Sequence, residues 1–327
     1  PDATRAPSGA GPAEKIDVRG FPIRLPKMGT WSGARGHDSG RRIDRPPTRI
    51  PLSAPSARDL GVDADDLADA HLWPLHVKQC GVLDWEEVTA MAEETGDKEL
   101  IAQCHRARGW IENAELLGPP LVGFTADRIP MAKLSAEDIA SMVGVGKLEP
   151  ADPGERGVFG FAKTWTIAQV AKRRRRPLAE PYANNTCDGS FADGLAYPSR
   201  LQRRQQARWK KYGLQIDFAA YFDQFELAEA LRDRLLVRTA KGLFRLCRLP
   251  MGARWSVLVA QTVTWVLTHP LAAKAAAEGA TCSVATMIDN VRAMSDDADE
   301  FIDIARTLLK LCRRERLPVR GRRQCAD

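Results

Sequence analysis

From residue 62 onward, apolar positions recur with two different periods. The stretch DWEEVTAMAEETGDKELIAQCHRARGWIENAELLG places Trp85, Val88, Met91 and Ala92, then Leu100, Ile101 and Cys104, at the intervals of a helix face, with breaks predicted at Gly96 and Gly118. LSAEDIASMV predicts a short helix capped by Ser135, with Asp138 three residues later. From Gly157 the pattern turns strand-like: FGFAKTWTIAQVAKRRRRPLAEPYANN holds β-branched and aromatic residues, then a basic run closed by Pro177. LQRRQQARWKKY, over 201–212, predicts a basic helix leading into a strand around Ile216, Asp217 and Phe218. AEALRDRLLVRTA predicts a helix, and KGLFRLCRLP a strand after a turn at Gly242. SVLVAQTVTWVLTHPLA predicts an apolar helix broken at Pro270. ATMIDNVRAM predicts a hairpin turning at Asp289-Asn290, and Ser295 caps a helix with the stripe Phe301, Ile304, Ala305, Leu308, Leu309 and Cys312. The order from residue 214 is therefore strand, helix, strand, helix, hairpin, helix, with no internal repeat.

Residues 1–60 lack such periodicity and hold nine of the 21 prolines, with many Gly, Ser and Arg, which predicts a disordered arm. At 327 residues, with 44% apolar and 28% charged positions, the remainder is long enough for a sizeable core. The net charge of +6 comes from arginine clusters and favours a polyanionic partner, nucleic acid first. Seven scattered cysteines, without a CxxC pair or a Cys/His cluster, read as free thiols in a reducing compartment and argue against zinc. No apolar run reaches membrane-spanning length and no signal-peptide core is present, so an intracellular protein, cytoplasmic or nuclear, is expected rather than a secreted one. The first residue is Pro1, as in a fragment or processed piece.

IDFAAYFDQF, residues 216–225, sets Asp217 among aromatics. Asp289, in the predicted hairpin, follows it by 72 residues (289 − 217). A strand-end acid and a hairpin acid on a neighbouring strand meet at one sheet edge, where they repel unless a divalent cation lies between them. Hard oxygen ligands suit Mg²⁺, which binds through few carboxylates plus substrate phosphates. Two such ions clamp the attacking and leaving oxygens of a phosphoryl transfer.

In these stretches the chain resembles the reverse transcriptases of retroelements. IDFAAYFDQF resembles their first palm motif, and LPMGARWSVLVAQ, from Leu249 to Gln261, their LPxG…S…Q loop and helix. MIDNVR stands where they carry an aromatic-x-Asp-Asp hairpin, and KRRRRPLAEPYANN resembles their triphosphate-facing fingers segment. The resemblance covers about residues 157–318, and RRRP, YFDQF and LPMGARWSV look most like tyrosine-recombinase elements of the DIRS and VIPER type. It implies an α+β fold: a right-hand polymerase palm, an antiparallel sheet with packed helices, plus partial fingers. The expected organisation is an arm at 1–60, a mostly helical region at 61–156, a fingers-like basic region at 157–213, the palm at 214–318 and a tail at 319–327. LPVRGRRQCAD does not resemble the next palm segment, and the thumb is expected to be missing.

By the same resemblance Asp217 and Asp289 are the catalytic acids and, with Asn290, the ligands of two Mg²⁺ (or Mn²⁺) ions. Phe222 falls where the family keeps a steric gate against the ribose 2′-hydroxyl, which implies dNTPs as substrates. Gly252 and Gln261 would line the nucleotide and template site, and Lys172, Arg174, Arg175 and Arg176 would meet the triphosphate. Arg203, Arg204, Arg208, Lys210 and Lys211 are candidates for tracking the backbone of an RNA template and its DNA or RNA primer. Asp223 reads as a solvated or helix-starting acid. Met287 and Asn290 depart from the hairpin's usual aromatic and second acid. A catalytically silent nucleic-acid-binding module on the same fold is therefore the alternative to a polymerase. A helical scaffold with a basic surface is a third reading, which leaves the palm motifs unexplained.

Overall fold

The computed structural model describes residues 68–79, 81–119, 121, 123–152, 158–181, 210–277, 282–314 and 319–325, with side chains to residue 273 and from 282 to 311 in the last two long segments. The expected N-terminal arm and the basic run through Arg203, Arg204 and Arg208 lie outside these residues.

Helical spacing near the start yields α1 (Trp85–Glu94) and α2 (Lys98–Glu112), each capped by an aspartate: Asp84 accepts from two backbone N–H groups of α1, and Asp97 from two of α2. A capping box of Ser135 and Asp138 starts α3 (Ala136–Gly144), as the sequence predicts. Strand β1 (Leu148–Pro150) follows, and then β2 (Lys163–Gln169) and β3 (Arg174–Glu180) form an antiparallel pair. Its connection runs through Val170–Lys172 and Arg173, which adopts a left-handed backbone with φ 43°.

The central sheet begins with β4 (Tyr212–Phe218). Between 228 and 240 the expected helix is short: α4 spans Glu229–Arg232, after which β5 (Leu236–Thr239) pairs with β6 (Gly242–Leu246) in one sheet with β1. A two-residue connection and the burial of Leu236, Val237 and Thr239 let the cross-strand ladder win over helix propensity.

Helix α5 (Ser256–Ala277) runs through Pro270 instead of breaking there. Burial of Leu267, Leu271 and Ala272 offsets the roughly 3 kcal/mol that a proline costs inside a helix. The helix is apolar nearly all round and accordingly lies at the centre of the molecule, against α1, α2 and the next strand.

Strands β7 (Ser283–Met287) and β8 (Asn290–Ser295) form the hairpin, and α6 (Ala298–Arg314) packs on β8 and β4. The hairpin is shifted from the sequence reading. Met287 pairs with Asn290, so the turn is Ile288-Asp289 and Asn290 opens β8. Residues read as a tail contain β9 (Val319–Cys325), which pairs with β4. The antiparallel order is β7-β8-β4-β9, and the succession β4, α5, β7, β8, α6, β9 is a split β-α-β-β-α-β unit interrupted by α4, β5 and β6.

One continuous core joins this unit to the N-terminal helices. Trp110 of α2 stacks on Trp255 at the start of α5, with ring centroids 6.1 Å apart. Residues 83–117 are therefore part of the same folded body as the sheet, not a separate appendage.

Candidate active site

Strand β4 alternates cleanly: Ile216 and Phe218 face the core, while Asp217 is exposed. In the β4–β8 register Asp217 lies opposite Asn290, and the Phe218 amide donates to the Asp289 carbonyl (2.9 Å). The two acids thus share one end of the sheet. Burial pushes the Asp289 carboxyl above the usual carboxylate range and the Asp217 charge adds to this, while its own backbone, Asn290 and Arg176 pull the other way.

The turn that carries Asp289 is strained, because Ile288 is β-branched yet has φ 57°. Side chains of α5 hold it there. The Gln261 carbonyl oxygen accepts from the Ile288 amide (2.7 Å), and its NH₂ donates to the Thr286 hydroxyl (3.1 Å). The Thr264 hydroxyl donates to the Ile288 carbonyl and also meets Tyr221 Oη at 3.0 Å. Tyr221 belongs to the 3₁₀ turn Tyr221–Gln224 after β4, so α5 holds the hairpin turn directly and this segment backs it through Thr264.

At the acids lies a cleft of about 120 Å³, lined by Asp217, Asp289, Phe222 and Met251. Lys172, Arg174 and Arg176, from the β2–β3 connection and β3, line it too, as do His76, Lys78 and Lys147. Gln169 accepts from Arg174 Nε (2.6 Å), and Lys147 forms an ion pair with Asp223 at 2.6 Å, both side chains largely buried. Carboxylates and several cationic side chains lining one cleft give it the mixed charge that suits a polyphosphate together with a hard divalent cation.

The sequence-selected residues divide accordingly. Asp217, Asp289, Phe222, Lys172, Arg174 and Arg176 come together at the cleft. Arg175 does not: neighbours on a strand face opposite ways, and its guanidinium forks onto Asp138 (2.7 Å to each oxygen) while Nε donates to the Trp73 carbonyl. Gln261 is 0% exposed and props the hairpin from beneath instead of lining the cleft. Gly252 is a packing contact, with its amide on the Ala179 carbonyl (3.0 Å) and space for no side chain, since a Cβ would lie 2.6 Å from that oxygen. Asn290 accepts from Gln215 and donates to Asp289, so its oxygen is turned away from the acids. Lys210 pairs with Asp296 (2.9 Å), and Lys211 is exposed.

Asp223, read as a solvated or helix-starting acid, lies in the first turn of the 3₁₀ segment Tyr221–Gln224 and is held by Lys147 rather than solvated. Lys147, Lys78 and His76 reach the cleft from the N-terminal half, where no motif marks them. The only local signal is Gly146, whose φ of 71° turns the chain between α3 and β1. Among the described residues no three His, Cys, Asp or Glu cluster as a metal-ligand set. The oxygen donors at the cleft fit a hard cation through two carboxylates, with substrate and water completing its shell.

No family model matches the chain, and no curated protein does either. Among solved structures it is similar to a foamy viral protease-reverse transcriptase in complex with double-stranded DNA, at 10% sequence identity and a TM-score of 0.50. The similarity covers 75% of this chain and 44% of that one, so this chain spans less than half the length of the neighbour it matches. At that identity the likeness concerns the fold: the chain has a reverse transcriptase-like fold of mixed helices and antiparallel sheet. Among the described residues no helix is long and apolar enough to cross a membrane.

Proposed function

We propose that this chain is the fingers–palm unit of a retroelement reverse transcriptase, an RNA-directed DNA polymerase that adds dNTPs to a primer 3′-hydroxyl. The observation that carries the reading is the convergence of Asp217 and Asp289 at one sheet end, in a cleft that Lys172, Arg174 and Arg176 also line. The sequence motifs support placing the element among the DIRS and VIPER type.

In this reading the bond from the primer 3′-oxygen to the α-phosphorus forms, the α–β phosphoanhydride breaks and pyrophosphate leaves. Lys172, Arg174 and Arg176 bind the triphosphate and neutralise the charge that develops on the leaving group. Lys147 and Lys78 extend that cationic wall. Phe222, 8% exposed at the cleft, packs beneath the ribose and excludes a 2′-hydroxyl. Asp217 and Asp289 would hold two Mg²⁺ or Mn²⁺ ions, which would supply Lewis-acid activation and charge neutralisation. The basic run from Arg203 to Lys211 is the candidate for tracking the template and primer backbone, since phosphate contacts dominate such affinity.

A second reading, a silent nucleic-acid-binding module, is favoured by one observation: an amide at 290 in place of a second hairpin acid. Primer extension on an RNA template, with Mg²⁺ or Mn²⁺ and dNTPs, separates the two. Incorporation by the chain, lost in Asp217→Asn, is expected. Salt-dependent RNA binding without incorporation, unchanged in Asp217→Asn, would leave the binding module.

A further inference from the structure

Asn290 belongs to a chain of three hydrogen bonds on the outward face of the sheet. Arg292 Nε donates to Gln215 Oε1 (3.1 Å), Gln215 Nε2 donates to Asn290 Oδ1 (3.0 Å), and Asn290 Nδ2 donates to Asp289 Oδ1 (2.9 Å). The β4–β8 register builds it: Gln215 is opposite Arg292 and Asp217 opposite Asn290, so Gln215 and Asn290 are diagonal neighbours within side-chain reach.

The chain has a direction. A guanidinium only donates, whereas a primary amide has one accepting and one donating end. Arg292 therefore fixes the Gln215 oxygen toward itself and the Gln215 nitrogen toward Asn290. That in turn fixes the Asn290 nitrogen toward Asp289. An aspartate at 290 would bring no donor and would place a further negative charge opposite Asp217.

We propose that Asn290 is a positioning residue for Asp289. As a donor it ties down one carboxylate oxygen and leaves the other to face the cleft, with its polarity imposed by Gln215 and Arg292. On this view asparagine at 290 is a two-carboxylate solution rather than a lost ligand. The cation-binding purpose rests on the polymerase reading, but the hydrogen-bond relay does not.

The full chain has four asparagines, at 113, 184, 185 and 290, so asparagine-selective ¹⁵N labelling gives few side-chain NH₂ signals, and Asn290→Ala assigns the one of interest. In the metal-free protein one Asn290 amide proton is expected downfield, as a carboxylate-bound proton is. Asp289→Ala and Gln215→Leu should both remove that shift. Arg292→Leu, at an exposed position, should produce the same change in smaller degree and serves if the Gln215 variant does not fold. An Asn290 signal unmoved by either relay variant overturns the proposal.

MnCl₂ is then added to the same samples. Paramagnetic broadening of the Asn290 signal is expected in the parent, with about tenfold more Mn²⁺ needed in Gln215→Leu, as when an outer-shell partner of a metal ligand is removed. A relay that responds to its variants without any Mn²⁺ broadening would defeat the polymerase reading and leave the positioning role standing. Broadening at the same Mn²⁺ concentration in parent and variant would defeat the positioning role alone.

Discussion

Gln261→Leu tests whether the strained turn is held from beneath. The side chain is fully buried and uses both ends, accepting from the Ile288 amide at 2.7 Å and donating to the Thr286 hydroxyl at 3.1 Å. Leucine has a similar volume, so little cavity arises. The Ile288 N–H loses its partner inside the protein, which costs about 1–3 kcal/mol. The Thr286 hydroxyl reorients, and its loss is about 1 kcal/mol. Against these, the added apolar surface of leucine returns about 1 kcal/mol. The net expectation is a loss of about 2 kcal/mol, roughly a thirtyfold shift toward the unfolded state. Urea denaturation should show a lower midpoint with an unchanged slope. Amide exchange should show faster opening at Ile288, because the bond that over-determines its φ of 57° is gone. A loss below about 0.5 kcal/mol, with protection at Ile288 intact, would refute the clamp.

Gly252→Ala puts a methyl 2.6 Å from the Ala179 carbonyl, so the loop or β3 must move; a loss of about 1–3 kcal/mol by denaturation is expected, and none would mean the contact is slack. Asp138→Ala strips the partner from the buried Arg175 fork and the box from α3, and about 3–5 kcal/mol should be lost in the same assay; a near-neutral change would show that Arg175 finds water. For Asp289 the sign follows from its raised carboxyl. The stability it contributes is present below the ordinary aspartate pKa of about 3.9 and is lost as pH rises through its raised value. In EDTA, Asp289→Asn should therefore gain thermal stability over the parent as pH rises from about 4 to 7, with parity at low pH. A parent that gains on the variant over that range would contradict the assignment.

The meeting of Asp217 and Asp289 at one sheet end was legible in the sequence because the order of strand, helix and hairpin motifs fixes which ends meet; Asp217 by itself reads as an ordinary outward-facing strand residue. Geometry that depends on one residue was not legible. The hairpin turn lies at Ile288-Asp289 rather than Asp289-Asn290, since tertiary bonds from Gln261 and Thr264 hold a β-branched residue in a conformation that local preference avoids. Residues 233–239 left the helix register once β6 offered a ladder, and Pro270 stayed inside α5 because the surrounding core outweighed its cost. Arg175 and Arg176 look alike in a basic run, and only strand alternation tells the one that pairs with Asp138 from the one that faces the cleft. Lys147 carries no motif at all; its place depends on a turn in the N-terminal half that only the fold brings to the acids.

The position of β4 has a consequence for the order of synthesis. Both of its edges are paired, with β8 (290–295) on one side and β9 (319–325) on the other, by segments made long after it. Until those strands leave the ribosome, β4 has no ladder partner on either side, and the apolar positions Ile216 and Phe218 have no finished sheet to close over them. Unpaired edges with apolar faces are the species that associate wrongly during folding. A nascent chain stopped before residue 289 therefore carries an adhesive strand and no acid pair, and one edge of β4 stays open until the roughly hundred residues between β4 and β9 have been made.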